Sequence, residues 1–290
     1  MTAEEILSRD AFLLGMELRL FWLVALLYAI SFLIGISYLL SSRKAAGRFL
    51  TVSLWFTAIV HTLLIIFRTI EGQRPPFQTL YETLSWFAWS ANITYLFVQS
   101  RWKEIHFPGI FVSGIAMAAC LYSIFTRSPE IIPLPPALQS PWYEAHVIIA
   151  FLAYAVFVVS FAVELTHLIF ERTFRNNALV FGFPFEGFHR YAHRLVLFGF
   201  PLMTFAVFSG AAWANDAWGR YWSWDPKETW SLITWTVYAM YLHSRAIARW
   251  RDNPASFLNI LGFICMIMTF LGVNWLAKLL NIPSMHTYGV

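Results

Sequence analysis

Residues 20–42 read LFWLVALLYAISFLIGISYLLSS, a run without a single Asp, Glu, Lys or Arg. A helix rises about 1.5 Å per residue. A run of this length therefore spans the roughly 30 Å hydrocarbon core of a bilayer. Seven more charge-free runs follow, at 49–67, 83–100, 105–126, 145–163, 195–215, 229–244 and 253–277. The expectation is an all-α, polytopic membrane protein with about eight transmembrane helices. The seventh run is short, but His243 and Arg245 at its end can reach the interface by snorkelling.

Composition agrees. The chain is 59% hydrophobic and 12% charged, with a mean hydropathy of +0.59, where a soluble domain carries about 25% charged residues. The loops between runs are short, so residues 1–290 read as one integral membrane domain without a separate soluble part. No short apolar segment followed by a small-residue cleavage site opens the chain, so the first helix is expected to remain as an anchor.

Eight spans put both termini on one side. Of the 20 Lys and Arg residues, twelve fall in one set of loops and eight in the set that includes the termini. Cytoplasmic loops carry the Lys/Arg excess. Both termini, the loop near 127–144 and the loop near 213–228 are therefore expected to be extracytoplasmic. The net charge of +4 reflects the cytoplasmic loops. It suits membrane lipid and does not suggest a nucleic-acid partner. Cys120 and Cys265 lie within the fourth and eighth runs and form no C-x-x-C pair. Any thiol chemistry must come from a partner or substrate.

Two outward stretches are punctuated by proline. Residues 126–143, TRSPEIIPLPPALQSPWY, are expected to be extended or irregular, because closely spaced prolines cannot continue a helix. Residues 68–78, RTIEGQRPPFQ, carry the same signal.

Residues 213–235 read WANDAWGRYWSWDPKETWSLITW and hold six of the 14 tryptophans. Two readings stand on the residues alone. One is an interfacial aromatic belt, which accounts for Trp213, Trp230 and Trp235 at helix ends. The other is a platform for a large planar ligand, since indole faces stack on π-systems and Arg or Lys meets carboxylates. That reading suits Trp218, Trp222 and Trp224, which fall mid-loop near Asp225, Arg220 and Lys227. A porphyrin has both a wide π-face and two propionates.

This segment resembles the WWD signature of heme-handling membrane proteins, in the form typical of the CcsA/ResC-type cytochrome c biogenesis (system II) family. The likeness extends to GQRPPFQTLYETL at 72–84, SPWYEAHV at 140–147, GFPLMTFAVFSGAAWAND at 199–216, YLHSR at 241–245 and MHTYG at 285–289. The continuation DPKETW at 225–230 points to the synthase branch rather than to the shorter WWD relatives. The resemblance implies heme b as cargo, delivered to the extracytoplasmic side and attached covalently to CXXCH motifs of apocytochrome c. It implies a holocytochrome c synthase complex with a CcsB/ResB-type membrane subunit and an extracytoplasmic thiol reductant. The membrane would be a bacterial cytoplasmic membrane or a thylakoid. The alternative is a heme chaperone or exporter that loads a carrier without forming thioether bonds.

Eight histidines are candidate iron ligands. His146 opens the fifth run and His286 follows the eighth, so both fall on the outer face with the tryptophans. Two histidines flanking one aromatic platform suit the two axial positions of a heme iron, and the resemblance implies that role for both. It also implies that His243 binds a second heme within the membrane. In related fused proteins the ligand opposite His243 comes from the companion's portion; His61, mid-membrane in the second run, is the internal candidate. His189 and His193, four apart, read as a lipid-contact pair or a metal pair. Glu164 and His167, three apart, are expected to bond each other. His106 receives no role.

Overall fold

The structure, a computed structural model, describes residues 3–41, 43–102, 105–173, 186–247, 249–250 and 253–280. The described residues hold helices and turns and no strand. The helices are α1 (Ala3–Ser41), α2 (Lys44–Gly72), α3 (Leu80–Arg101), α4 (Pro108–Thr126), α5 (Pro141–Thr173), α6 (Glu186–Trp218), α7 (Pro226–Ala246), α8 (Asn253–Ile267) and α9 (Val273–Leu280). A π-helical turn, Met268–Gly272, joins α8 to α9, and a 3₁₀ turn, Pro136–Leu138, precedes α5.

Each of the eight charge-free runs becomes helix. Among the described residues, six helices are long and apolar enough to cross a membrane: α1, α2, α4, α5, α6 and α8 with its π turn. The helices of the other two charge-free runs, α3 and α7, are more polar for a physical reason visible in α3. Its Glu82, Ser85, Ser90, Asn92 and Gln99 are all buried. Asn92 Nδ2 donates to the Leu54 carbonyl of α2 (3.2 Å), and Gln99 Nε2 donates to Thr51 Oγ1 (2.6 Å). Polar atoms bonded within the protein meet no lipid, so α3 needs less apolar surface than a helix facing hydrocarbon.

The described helices group into two compact units, α1 to α4 with the stretch up to Leu134, and α5 to α9 with the residues from Pro135. In the first, α1 packs on α2 and α4, and α3 packs on α2 and α4. In the second, α5 packs on α6 and α8, and α7 packs on α6 and α8. Each unit is thus a ring of four helices, the arrangement that short connections between successive helices favour.

The first unit is tied by charge. Arg68, 4% exposed, donates from Nη1 to Glu17 (2.7 Å) and from Nη2 to Glu82 (3.0 Å), both 1% exposed. Arg74 also pairs with Glu82 (3.1 Å). Glu82 completes a capping box with Thr79 at the start of α3. The same side chains hold the proline-rich stretch. Arg68 donates to the carbonyls of Pro129 and Glu130, Arg74 to that of Ile132, and Gln78 to that of Pro133. An extended segment cannot pair its carbonyls internally, and these donors supply the partners.

Candidate functional site

The tryptophan-rich segment is mainly helix end rather than loop. α6 continues through Trp213 to Trp218. Gly219 stops it in the left-handed conformation at φ +72°, with its N–H donating to the Asn215 carbonyl (2.8 Å). α7 begins seven residues later, at Pro226. Asp225 is its N-cap and accepts from the Lys227 N–H (2.9 Å), while the Glu228 carboxylate folds back onto the N–H groups of Ser223 (2.8 Å) and Asp225 (3.2 Å). Pro226 occupies the first helical turn, where its missing N–H costs nothing. The expected loop near 213–228 therefore shrinks to residues 219–225. The signals for this were local: a glycine after a tryptophan, and the D-P-x-E capping pattern.

Within the second unit, α5 and α6 bring His146 and Trp213 together. The two rings lie nearly parallel, 15° between planes and 6.2 Å between centroids. His146 Nδ1 is 2.7 Å from the Ala206 carbonyl. A carbonyl only accepts, so the ring proton of the neutral imidazole sits on Nδ1 and the lone pair on Nε2. A histidine that binds a metal typically donates its other N–H to a carbonyl or carboxylate in this manner. Trp213 is 3% exposed, and its indole N–H donates to the Ala137 carbonyl (2.7 Å). It also packs against Tyr143 (5.3 Å) and Trp218 (4.9 Å). Nearby, Ser140 donates to Asp216 (3.1 Å).

Trp222 and Trp224 form an edge-to-face pair at 5.9 Å. Trp224 is 69% exposed and has φ +61°. A bulky side chain in that backbone region carries strain of about 1–3 kcal/mol. Asp225, by contrast, is buried, and its carboxylate serves the start of α7.

The remaining candidates divide. His243 is exposed near the end of α7, and its Nδ1 donates to the Ala239 carbonyl one turn back (2.9 Å). The proton is again on Nδ1. His61, in the first unit, is fully buried, with Nδ1 3.1 Å from Tyr28 Oη and Nε2 2.9 Å from Ser85 Oγ. His286 lies outside the described residues. Glu164 has a further partner on the neighbouring helix, beyond His167 three positions along its own. It pairs with His189 of α6 at 2.7 Å, and the His167 ring packs on that of His189 at 3.7 Å. His106 meets Thr51 (3.0 Å) and Gln99 (2.7 Å) and fills the space left by Gly47. Among the described residues, no three His, Cys, Asp or Glu side chains form a group fit to hold a metal ion. Single histidines with an ordered tautomer match the needs of a metal already held in a macrocycle, where the protein supplies only axial ligands. The sequence pattern did not reveal Ala206 and Gly210, which meet His146 from α6; the small residues of SGAAW at 209–213 were the available hint.

A family model described as cytochrome C assembly protein matches residues 77–281. The chain is 33% identical over 253 residues to the cytochrome c biogenesis protein CcsA of Guillardia theta, covering 80% of this chain and 82% of that one. It is 32% identical to CcsA of Cyanophora paradoxa (78% and 83% covered) and 29% identical to CcsA of Mesostigma viride (91% and 94% covered). In fold it is similar to a solved cytochrome c heme lyase CcmF, with a TM-score of 0.66 at 15% identity. That match covers 90% of this chain and 47% of the other, so this chain spans just under half of that protein's length.

Proposed function

The chain belongs to the cytochrome c assembly protein family, whose work is cytochrome c maturation, and on that premise we propose that it presents heme b on the extracytoplasmic face of a membrane for covalent attachment to apocytochrome c. The observation that carries this reading is the His146–Ala206 hydrogen bond beside Trp213, which supports an axial-ligand role by leaving the lone pair on Nε2. His146 and His286 are the two axial ligands. Trp213, Trp218, Trp222 and Trp224 provide the aromatic wall, and Asp225 sets the start of the helix that follows it.

α3 and α7 join the six apolar helices as the remaining two of eight spans, with both termini outside. The charge bias supports this orientation more strongly than the bare count. Arg68 and Arg74, two of the eight cations assigned outward, are engaged with Glu17 and Glu82 inside the fold. His243 holds a second heme on its way outward. The ligand opposite it comes from a CcsB/ResB-type subunit, since the ring nitrogens of His61 are already engaged with Tyr28 and Ser85.

The reaction adds two cysteine thiols of a CXXCH motif across the heme vinyl groups. The chain's contribution is positioning, which can replace much of the entropic barrier of such a step. Both cysteines of this chain are buried, so the reductant that keeps the substrate thiols reduced is a separate extracytoplasmic protein. The test is co-expression of this chain and its companion with a reporter cytochrome. Covalent heme on the reporter, lost in His146→Ala and His286→Ala, is the expected result. Heme passed only to a carrier protein would favour a chaperone instead. Purified chain without a Soret band after hemin addition would remove the heme reading altogether.

A further inference from the structure

Where α6 passes His146, its surface has a gap one side chain wide. A Cβ built on Gly210 would lie 2.8 Å from His146 Cε1 and 2.9 Å from Nδ1, closer than any side chain tolerates. Ala206 stands one turn before Gly210 and supplies the carbonyl that accepts from Nδ1 at 2.7 Å. Trp213 stands about one turn after and lies parallel to the imidazole. The three positions follow the i, i+4, i+7 spacing of one helix face. Trp213 is fixed in turn by its indole N–H on the Ala137 carbonyl. The ring is thus bounded at its Nδ1 edge by a carbonyl, on one side by bare backbone and on another by an indole.

From this geometry we infer that Ala206, Gly210 and Trp213 form a histidine slot on α6 that sets the tautomer and ring plane of His146, with Gly210 as a positioning residue for heme ligation. The inference rests on the reading of His146 as an axial ligand and adds how that ligand is aimed. A methyl group at position 210 cannot be absorbed by a flexible chain end, because the atoms it meets belong to a rigid ring. The ring must rotate or withdraw, and either motion breaks the bond to Ala206. A ligand held by a carbonyl is also a stronger donor than one that has lost it, so the iron potential depends on the slot.

The experiment is a double-mutant cycle on the full chain, purified from membranes and titrated with hemin. Its members are Gly210→Ala, His146→Ala and the pair together. Gly199→Ala is the control, because a Cβ there meets Phe157 of α5 at 2.8 Å and tests overpacking of the same two helices away from His146. Gly210→Ala is expected to weaken hemin binding about tenfold or more and to shift the Soret band and midpoint potential of the heme that remains. It should also lower the thermal midpoint of the heme-free protein. In the His146→Ala background the same change should do neither, because the ring it strikes is gone. Gly199→Ala should lower the thermal midpoint without moving the potential. Wild-type hemin binding and potential in Gly210→Ala would overturn the slot. So would a Gly210→Ala effect that persists undiminished beside His146→Ala. A wild-type spectrum in His146→Ala alone is a different pattern: it removes the axial-ligand reading, and the slot with it.

Discussion

His146 of α5 and Trp213 of α6 lie with their rings 15° from parallel and 6.2 Å apart, and Trp213 is the more buried of the two. The indole is therefore part of the packing as well as a wall of the proposed heme site. Trp213→Ala removes a large buried side chain and is expected to cost about 3–5 kcal/mol of stability. Trp213→Phe keeps a flat ring beside His146 but leaves the Ala137 carbonyl without its indole donor, a loss of about 1 kcal/mol. The Phe variant should fold and bind hemin more weakly than the wild type. Thermal unfolding in detergent, read alongside hemin titration, separates the two losses. A Phe variant with unaltered hemin affinity would show that the Ala137 contact does not matter to the site.

Asp225 belongs to the sequence signature but points its carboxylate at the backbone of α7. Its role can be separated by chemistry. Asn caps a helix about as well as Asp, while Ala forfeits roughly 1 kcal/mol. Asp225→Asn is therefore expected to retain stability and heme attachment, and Asp225→Ala to lose some of both. If Asp225→Asn keeps its stability but abolishes attachment, the negative charge itself has a function beyond the cap.

The helices were legible because lipid demands long apolar runs, and each of the eight runs became helix. Their ends were less legible. The tryptophans at 213–224 looked like a loop because polar residues interleave them, yet Asn215 and Asp216 lie on the last turns of α6, and Gly219 decides where it stops. Pairings across helices could not be read from spacing. Glu164 bonds His189, 25 positions away, because α5 and α6 pack side by side. The carbonyl of Ala206 was invisible for a deeper reason: it is backbone, and no residue type announces which carbonyl an imidazole will choose.

Arg68 is the centre of the first unit. It bridges Glu17 and Glu82 and holds the carbonyls of Pro129 and Glu130. Removing it leaves two nearly inaccessible carboxylates without their shared partner. Arg68→Ala is expected to destabilise the protein by about 3–5 kcal/mol, since breaking a buried pair strands its charge. Arg68→Lys should fall between, because an ammonium cannot reproduce the fork of a guanidinium. Faster proteolysis within residues 127–134, measured against wild type in the same detergent, should accompany both. A fully stable Arg68→Ala protein would show that the cluster is dispensable for the fold.

Trp224 sets function against stability. Its backbone is held at φ +61° while its indole is 69% exposed, so the strain is not repaid by burial within this chain. Glycine tolerates that conformation without strain. Trp224→Gly is expected to relieve about 1–3 kcal/mol of strain, partly offset by the greater freedom of glycine in the unfolded chain. The net change in thermal stability should be neutral to favourable, by roughly 1 kcal/mol. Heme attachment to a co-expressed reporter should nevertheless fall, because the exposed face of the proposed platform is gone. Trp224→Phe keeps both the strain and an aromatic face, and should retain more attachment at no gain in stability. If Trp224→Gly instead unfolds the protein, the indole is holding the connection between α6 and α7 together, and its exposure is not a sign of a ligand.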